Sequence, residues 1–430
     1  MRGAVGARRW RAGVLATVML SLLAVILPSG PPVGAQEDER PPRALLVSFP
    51  RLTWERLDEV RPPALMEFLE DGAVASLSPR TVGARTTPAQ AYLTIGAGNR
   101  ATAVGSGAGG LGAAGVAAAA DEMTAEGQAA VVFERRTGLE PDGGVLSLFF
   151  PAQVNRNERL LYGAEPGSFG QALRDADIGT GVVGNAGTSV LDQSTREVVL
   201  AMADRHGQVT TGQVGGSLLE EDPLAPFGVR ANLDAHVRAI EDAWRDAGVV
   251  LVEMSDLERA EQARPVSTSQ RADDQFAAAL EHADDLFARL LDTVDPERDL
   301  VIVLAPTAPL NKEQLTLFGA QGPAFEPGMA TSSTTRRAGY ATLTDLAPTV
   351  LRFLDVEVPA AMGTTVVSSV GDGGPLEDRI DSLVRANERA IFRDTAVGPL
   401  TVAFIVLLVA MLAAVAVFVA RGATGERALA

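Results

Sequence analysis

The 25 residues from Ala396 to Ala420 carry no charged side chain, and this run constrains the chain more than any other feature. A helix rising 1.5 Å per residue over that length exceeds a hydrocarbon core of about 30 Å, so residues 396–420 are expected to span a membrane with some tilt. A buried core helix is the alternative reading, although globular helices seldom stay uncharged for so long. Arg421 and Arg427 follow, opposed only by Glu426, which marks residues 421–430 as a cytoplasmic tail. At the other end, Arg2, Arg8, Arg9 and Arg11 precede an apolar run from Ala12 to Leu27. Val33-Gly34-Ala35 then offers a small-x-small cleavage site, so residues 1–35 read as a secretory signal, with an uncleaved anchor as the alternative.

Together the ends predict a single-pass type I protein of the cell membrane, with residues 36–395 extracytoplasmic. The charge sharpens on that division. The whole chain carries −17. Without the four arginines before residue 36, and the two arginines and one glutamate after residue 395, 31 basic and 53 acidic residues remain, a net −22. Such a domain excludes nucleic acid as a partner, because the basic footprint is missing, and it is poorly suited to capturing polyanions. The chain has no cysteine, so disulfides, thiol catalysis and cysteine-held zinc or iron–sulfur centres are ruled out. It has 36 arginines and a single lysine, Lys312, an arginine bias that fits a GC-rich genome.

Residues 36–42 form a charged, proline-containing linker, residues 43–372 the ectodomain, and residues 373–395 a juxtamembrane helix. Within the ectodomain, short apolar runs at Ala44–Phe49, Ala73–Leu77, Thr180–Val183, Val249–Val252 and Leu300–Leu304 read as buried parallel strands. Helical patterns at Arg61–Glu70, Phe169–Ala176, Ala231–Ala247 and Ala272–Leu291 alternate with them. The expected fold class is therefore α/β, with a mostly parallel central sheet flanked by helices. The Gly/Ala-rich stretch from Gly105 to Ala120 reads as a loop or flexible insertion. Its Gly107–Gly112 segment matches G-x-G-x-x-G, but without a preceding strand it is not a cofactor site. There is no G-x-S-x-G nucleophile elbow.

Several segments in order resemble the alkaline phosphatase superfamily, which includes nucleotide pyrophosphatase/phosphodiesterases, sulfatases and phosphoglycerate mutases. They are LLVSFPRLTW (Leu45–Trp54), TTPAQAYLTIGAG (Thr86–Gly98), VLVEMSDLERA (Val250–Ala260), RDLVIVLAPTAP (Arg298–Pro309) and TDLAPTVLRFLDVEVPAAMGTT (Thr344–Thr365). The resemblance covers most of residues 43–365 and extends to membrane-anchored, exported members from actinobacteria. It implies an alkaline-phosphatase-like fold and, in active members, two divalent cations, usually zinc, held by Asp and His. It also implies a Thr or Ser nucleophile, which falls on Thr86. The departures are larger than the matches. The family's first-strand Asp-Gly is replaced by Pro50-Arg51, its Asp-x-x-x-His pair falls on Asp256 and Ala260, and its Ser-Asp-His element on Ala305-Pro306-Thr307. No histidine follows His282.

Each candidate residue has a plainer reading beside the functional one. Thr86 is a nucleophile at a helix N-terminus or an N-cap before Pro88, a task Thr87 could equally perform. Asp256 is the one retained metal ligand, or a relic or helix cap, and a lone carboxylate holds divalent ions poorly. Arg336 and Arg337 are anion-binding forks or part of a solvated loop. His206, His236 and His282 lack metal-ligand spacing, and His282, near Asp284 and Asp285, is expected on an exposed helix face. The sequence thus predicts an anchored ectodomain without cofactor that has lost its two-metal site and binds an envelope ligand or protein. The alternative is an active phosphatase, phosphodiesterase or sulfatase-type hydrolase using Thr86, with zinc or another divalent cation.

Overall fold

A computed structural model describes residues 40–427 apart from 84, 105–114, 311, 372 and 373. The signal expected in residues 1–35, most of the 36–42 linker, the Gly107–Gly112 segment and the end of the tail lie outside the described residues. From Pro42 onward the chain folds as one unit.

Along the chain, β1 (Ala44–Ser48) leads into α1 (Trp54–Val60), α2 (Pro63–Glu70), β2 (Ala73–Ser78) and α3 (Pro88–Ala97). After an insertion of short elements come α4 (Ser168–Asp175), β3 (Thr180–Val183), β4 (Thr211–Gln213) and α5 (Leu233–Ala243). Then follow β5 (Val249–Glu253), α6 (Ser255–Ala263), α7 (Ser269–Leu291), β6 (Leu300–Leu304), β7 (Thr316–Gln321) and β8 (Gly328–Ser332). The chain closes with β9 (Arg337–Ala338), β10 (Tyr340–Thr342), α8 (Leu346–Phe353), β11 (Val367–Val370) and α9 (Leu376–Arg427).

The strands form an 11-stranded sheet in the order β9-β8-β10-β2-β7-β6-β1-β5-β3-β4, with β11 on β8. β1 pairs in parallel with both β5 and β6, and β7 runs antiparallel between β6 and β2. The α/β class read from the sequence is therefore the fold observed. Its cause is plain in β1, β5 and β6, whose every residue is buried because helices cover both faces. Alternate side chains serve different cores: Leu46, Leu251 and Ile302 on one face with α3, Leu45, Val250 and Val301 on the other with α2 and α7.

The helix expected at Ala231–Ala247 is shorter, Leu233–Ala243, because Val229–Ala231 forms a short strand, and two further differences have a local cause. The helix expected at Arg61 begins at Pro63, because Arg61 takes a left-handed conformation (φ 54°) as the cap of α1 and is followed by two prolines. Within the stretch expected to be a loop, Ala117–Ala119 forms a strand against Val145–Ser147.

The last helix has two halves. In the first, Leu376, Ile380, Leu383 and Asn387 recur at helical spacing and are buried against the domain. Arg379, also buried, donates to the carbonyls of Glu70 (2.8 Å), Gly72 (2.9 Å) and Gly328 (3.2 Å), filling the acceptors left at the end of α2. In the second half the apolar side chains from Val397 to Val419 are exposed, so the run is not a core helix. It is long and apolar enough to cross a membrane.

Candidate functional site at the strand ends

In an open parallel sheet, ligands meet the carboxyl ends of the strands, where loops diverge. Here β1, β5 and β6 end side by side and deliver Arg51, Glu253 and Thr307 to one edge. Just past β1 the backbone turns sharply, with Arg51 at φ 68°, a conformation that costs an L-residue energy and persists only where its surroundings impose it. The surroundings are specific. The Arg51 amide donates to Thr307 O (3.0 Å), joining the loops after β1 and β6. Its guanidinium donates through Nε and Nη2 to Glu258 (2.8 and 2.9 Å) and through Nη1 to Ala308 O (2.6 Å). Both side chains of this fork are buried. Burial alone would lower the Arg51 guanidinium; the Glu258 charge and hydrogen bonds more than reverse it.

A second ion pair braces the first. Arg56 donates to Arg51 O (2.9 Å) and to Glu261 (2.8 Å), whose other oxygen accepts the Leu310 amide (2.8 Å). The loop after β6, where the resemblance puts cation ligands, is thus tied down by arginine–glutamate pairs.

On the other face, carboxylates meet hydroxyls rather than cations. Ser48 Oγ lies 2.7 Å from Tyr92 Oη, Tyr92 donates to Glu253, and Ser255 donates to Glu253 at 2.6 Å. Burial pushes the Glu253 carboxyl up, and burial with the Glu253 charge pushes Tyr92 well above its ordinary value. Nearby, burial and the charges of Glu253, Glu258 and Asp192 push Glu197 up to about 8.

Asp256 stands at the start of α6 and is saturated. It accepts from the Ala231 amide (3.1 Å), from Arg259 (2.5 Å to Nη2) and from His282 Nδ1 (3.0 Å). Burial would raise this carboxyl; the Arg259 charge and the His282 hydrogen bond instead hold it far below the carboxylate range. The exposed His282 expected from sequence is corrected here. Residues two apart on a helix point to different sides. Asp284 therefore turns inward, accepting the Ala64 and Leu65 amides (3.0 and 2.8 Å) at the start of α2, while His282 turns to Asp256. Beside that pair is a cavity of about 260 Å³ lined by Leu224, Pro226, Arg230, Arg271 and His282.

Thr86 stands just before α3, at the level of the strand ends. Thr87, not Thr86, caps the helix, accepting the Gln90 amide at 3.3 Å in a reciprocal capping box. Thr86 Oγ1 lies 3.4 Å from Thr81 Oγ1. Arg336, on the turn between β8 and β9, and Arg337, the first residue of β9, are exposed, and Arg337 stacks over Tyr340 at 4.9 Å. The structure thus brings Pro50-Arg51 and Pro306-Thr307 together, sends Asp256 toward α7, and puts Arg336 at a different part of the edge. Among the described residues, no group of three or more His, Asp or Glu side chains is arranged to hold a metal ion.

Sequence reasoning missed Glu258, Glu253, Tyr92 and Glu197. The one available signal was the substitution of arginine at the end of β1, which asks for a buried carboxylate partner.

No family model and no curated protein matches the chain. Solved structures do. An alkaline phosphatase from the Antarctic bacterium TAB5 is similar at 10% identity and a TM-score of 0.42, covering 74% of this chain and 99% of that one. The lipoteichoic acid synthase LtaP from Listeria monocytogenes is similar at 9% identity and 0.42, covering 81% and 92%. A Vibrio parahaemolyticus protein of the alkaline phosphatase superfamily is similar at 10% identity and 0.41, covering 83% and 88%.

Proposed function

We propose that this chain is an alkaline-phosphatase-like ectodomain, exported and held in the cell membrane by residues 396–420, that binds a ligand or partner protein at the envelope without hydrolysing it. The observation that carries this reading is the Arg51–Glu258 fork. Ester hydrolysis needs positive charge aimed at the transferring group, which divalent cations supply in active relatives. Arg51 supplies a cation at that edge, but Glu258 neutralises it and its donors point into the protein. The two-metal site is in this reading replaced by an internal ion pair, and Asp256 is committed to Arg259 and His282.

One observation favours the alternative of an active hydrolase. Because Thr87 does the capping, the Thr86 hydroxyl is not spent on the helix. That reading needs Thr86 as nucleophile, with Arg336, Arg337 or zinc as the charge source. Turnover of p-nitrophenyl phosphate, its bis-ester and p-nitrophenyl sulfate by the purified full chain, with and without zinc or manganese, separates the two. We expect no hydrolysis that disappears in Thr86→Ala. Hydrolysis that Thr86→Ala abolishes, with the fold unchanged by circular dichroism, establishes the alternative.

A further inference from the structure

The long C-terminal helix fixes which end of the domain meets the membrane. At its start, Arg379 binds carbonyls at Gly72 and Gly328, the points where β2 and β8 begin, and Glu377 pairs with Arg61 at the far end of α1. Eight residues after Arg379, Asn387 donates to Glu55 at the near end of α1 and accepts the Leu315 amide (2.9 Å) just before β7. Thr316, the first residue of β7, lies opposite Leu77, close to the end of β2. The helix therefore climbs from the beginnings of the parallel strands to their ends, and the apolar run follows in the same continuous helix. From Asn387 to residue 396 it rises about 14 Å at 1.5 Å per residue.

We infer that the carboxyl-end edge of the sheet, with the candidate site, faces the bilayer and lies against anionic lipid headgroups. This rests on the membrane anchoring proposed above. The edge has the chemistry for that neighbour. Arg80 and Arg85 follow β2, Lys312 lies between β6 and β7, and Arg336 and Arg337 cap β8; all five are exposed. On the same edge Glu313, Glu388 on the helix, Glu221 near Leu224, and Asp273 and Asp274 at the start of α7 are exposed acids, against Arg389 and Arg393 on the helix and Arg271 on α7. A domain of net −22 thus places its one lysine, with Arg80, Arg85, Arg336 and Arg337, on the edge that carries the apolar helix. The edge also carries bare apolar side chains. Leu191 is 86% exposed in the loop after β3, and Val266 is 85% exposed just before α7. Leu224 is 76% exposed, and its carbonyl accepts from Arg271 at the start of α7 (2.8 Å). That start is the membrane-side end of α7, because its other end runs to Thr293, whose carbonyl is held by Arg43 at the beginning of β1. Exposed apolar tips and basic side chains on one edge are what an anionic headgroup layer accepts.

The absence of cysteine makes the test direct. Ser333→Cys, on the turn beyond β8, and Glu297→Cys, before β6 at the opposite edge, each accept one fluorophore in the full chain reconstituted in phosphatidylcholine vesicles with or without phosphatidylglycerol. A nitroxide on the lipid headgroup should quench the Ser333 probe at least threefold more than the Glu297 probe. Phosphatidylglycerol should widen the difference, and Arg336→Glu/Arg337→Glu should abolish that widening without affecting flotation with vesicles. Equal quenching, or stronger quenching at Glu297, in chain that floats overturns the orientation and leaves the anchoring intact. A widening that survives the charge reversal overturns the headgroup contact. Chain that does not float with vesicles overturns both.

Discussion

Two sets of carboxylates share one edge of the sheet and are treated in opposite ways. Glu258 and Asp256 each face a buried arginine, and Asp256 is held far below the carboxylate range by Arg259 and His282. Glu253 and Glu197 lie a few residues or one loop away, and burial pushes both up; Glu253 meets only hydroxyls. The lesson is that a buried acid here is held low where an arginine faces it, as Arg259 faces Asp256, and is pushed up where none does. Elsewhere burial favours the protonated form.

The contrast can be broken most severely at Arg51. Arg51→Met leaves Glu258 buried without its cation and should lower unfolding free energy by about 3–5 kcal/mol in urea melts. Adding Glu258→Leu should restore most of it, because an apolar pair replaces an apolar-flanked ion pair at little cost. A double variant as unstable as the single one would show that the fork itself, rather than the orphaned charge, matters.

At Tyr92 the effect should be smaller. Tyr92→Phe removes the hydroxyl between Ser48 and Glu253, and a loss of about 1 kcal/mol is expected by thermal melting.

The pH dependence sharpens the other half of the contrast. Below about pH 4.5 the Glu197 carboxyl is protonated folded or unfolded. Between there and about 8 the unfolded chain releases a proton that the folded domain keeps, so this group's contribution to stability is full at low pH and lost as pH rises through 8. The melting temperature should therefore fall from pH 5 to pH 8.5, and Glu197→Gln should flatten the slope. A slope unchanged in that variant would mean Glu197 titrates normally. The smallest effect belongs to Glu253→Gln. Glu253 is pushed up by burial and hydrogen-bonds only to hydroxyls, so its amide replacement should alter stability by less than about 1 kcal/mol, whereas Glu258→Gln, which breaks the fork to Arg51, should cost clearly more.

Much of the scaffold was legible in the sequence because its causes are local. The continuous apolar runs of β1, β5 and β6 announce strands buried on both faces, and the uncharged run after residue 395 announces a helix with no core to enter. The site was legible only as departures from the pattern that the segments resemble. Arg51 stands 207 residues from Glu258, and Tyr92 stands 161 from Glu253, so nothing in spacing or periodicity joins them. The sheet does, by setting β1 beside β5. His282 was misread for a related reason: its sequence neighbours Asp284 and Asp285 suggested an exposed acidic face, while the helix turned it toward Asp256 on another element.

The central claim is that an arginine–glutamate pair holds the place of the bound cations. Titration of zinc into the purified full chain, followed by isothermal calorimetry and by metal analysis after gel filtration, tests it most directly. No stoichiometric zinc should be retained, and no heat should saturate in the micromolar range. Two zinc ions per chain, retained through filtration and lost in Asp256→Ala, would contradict the claim.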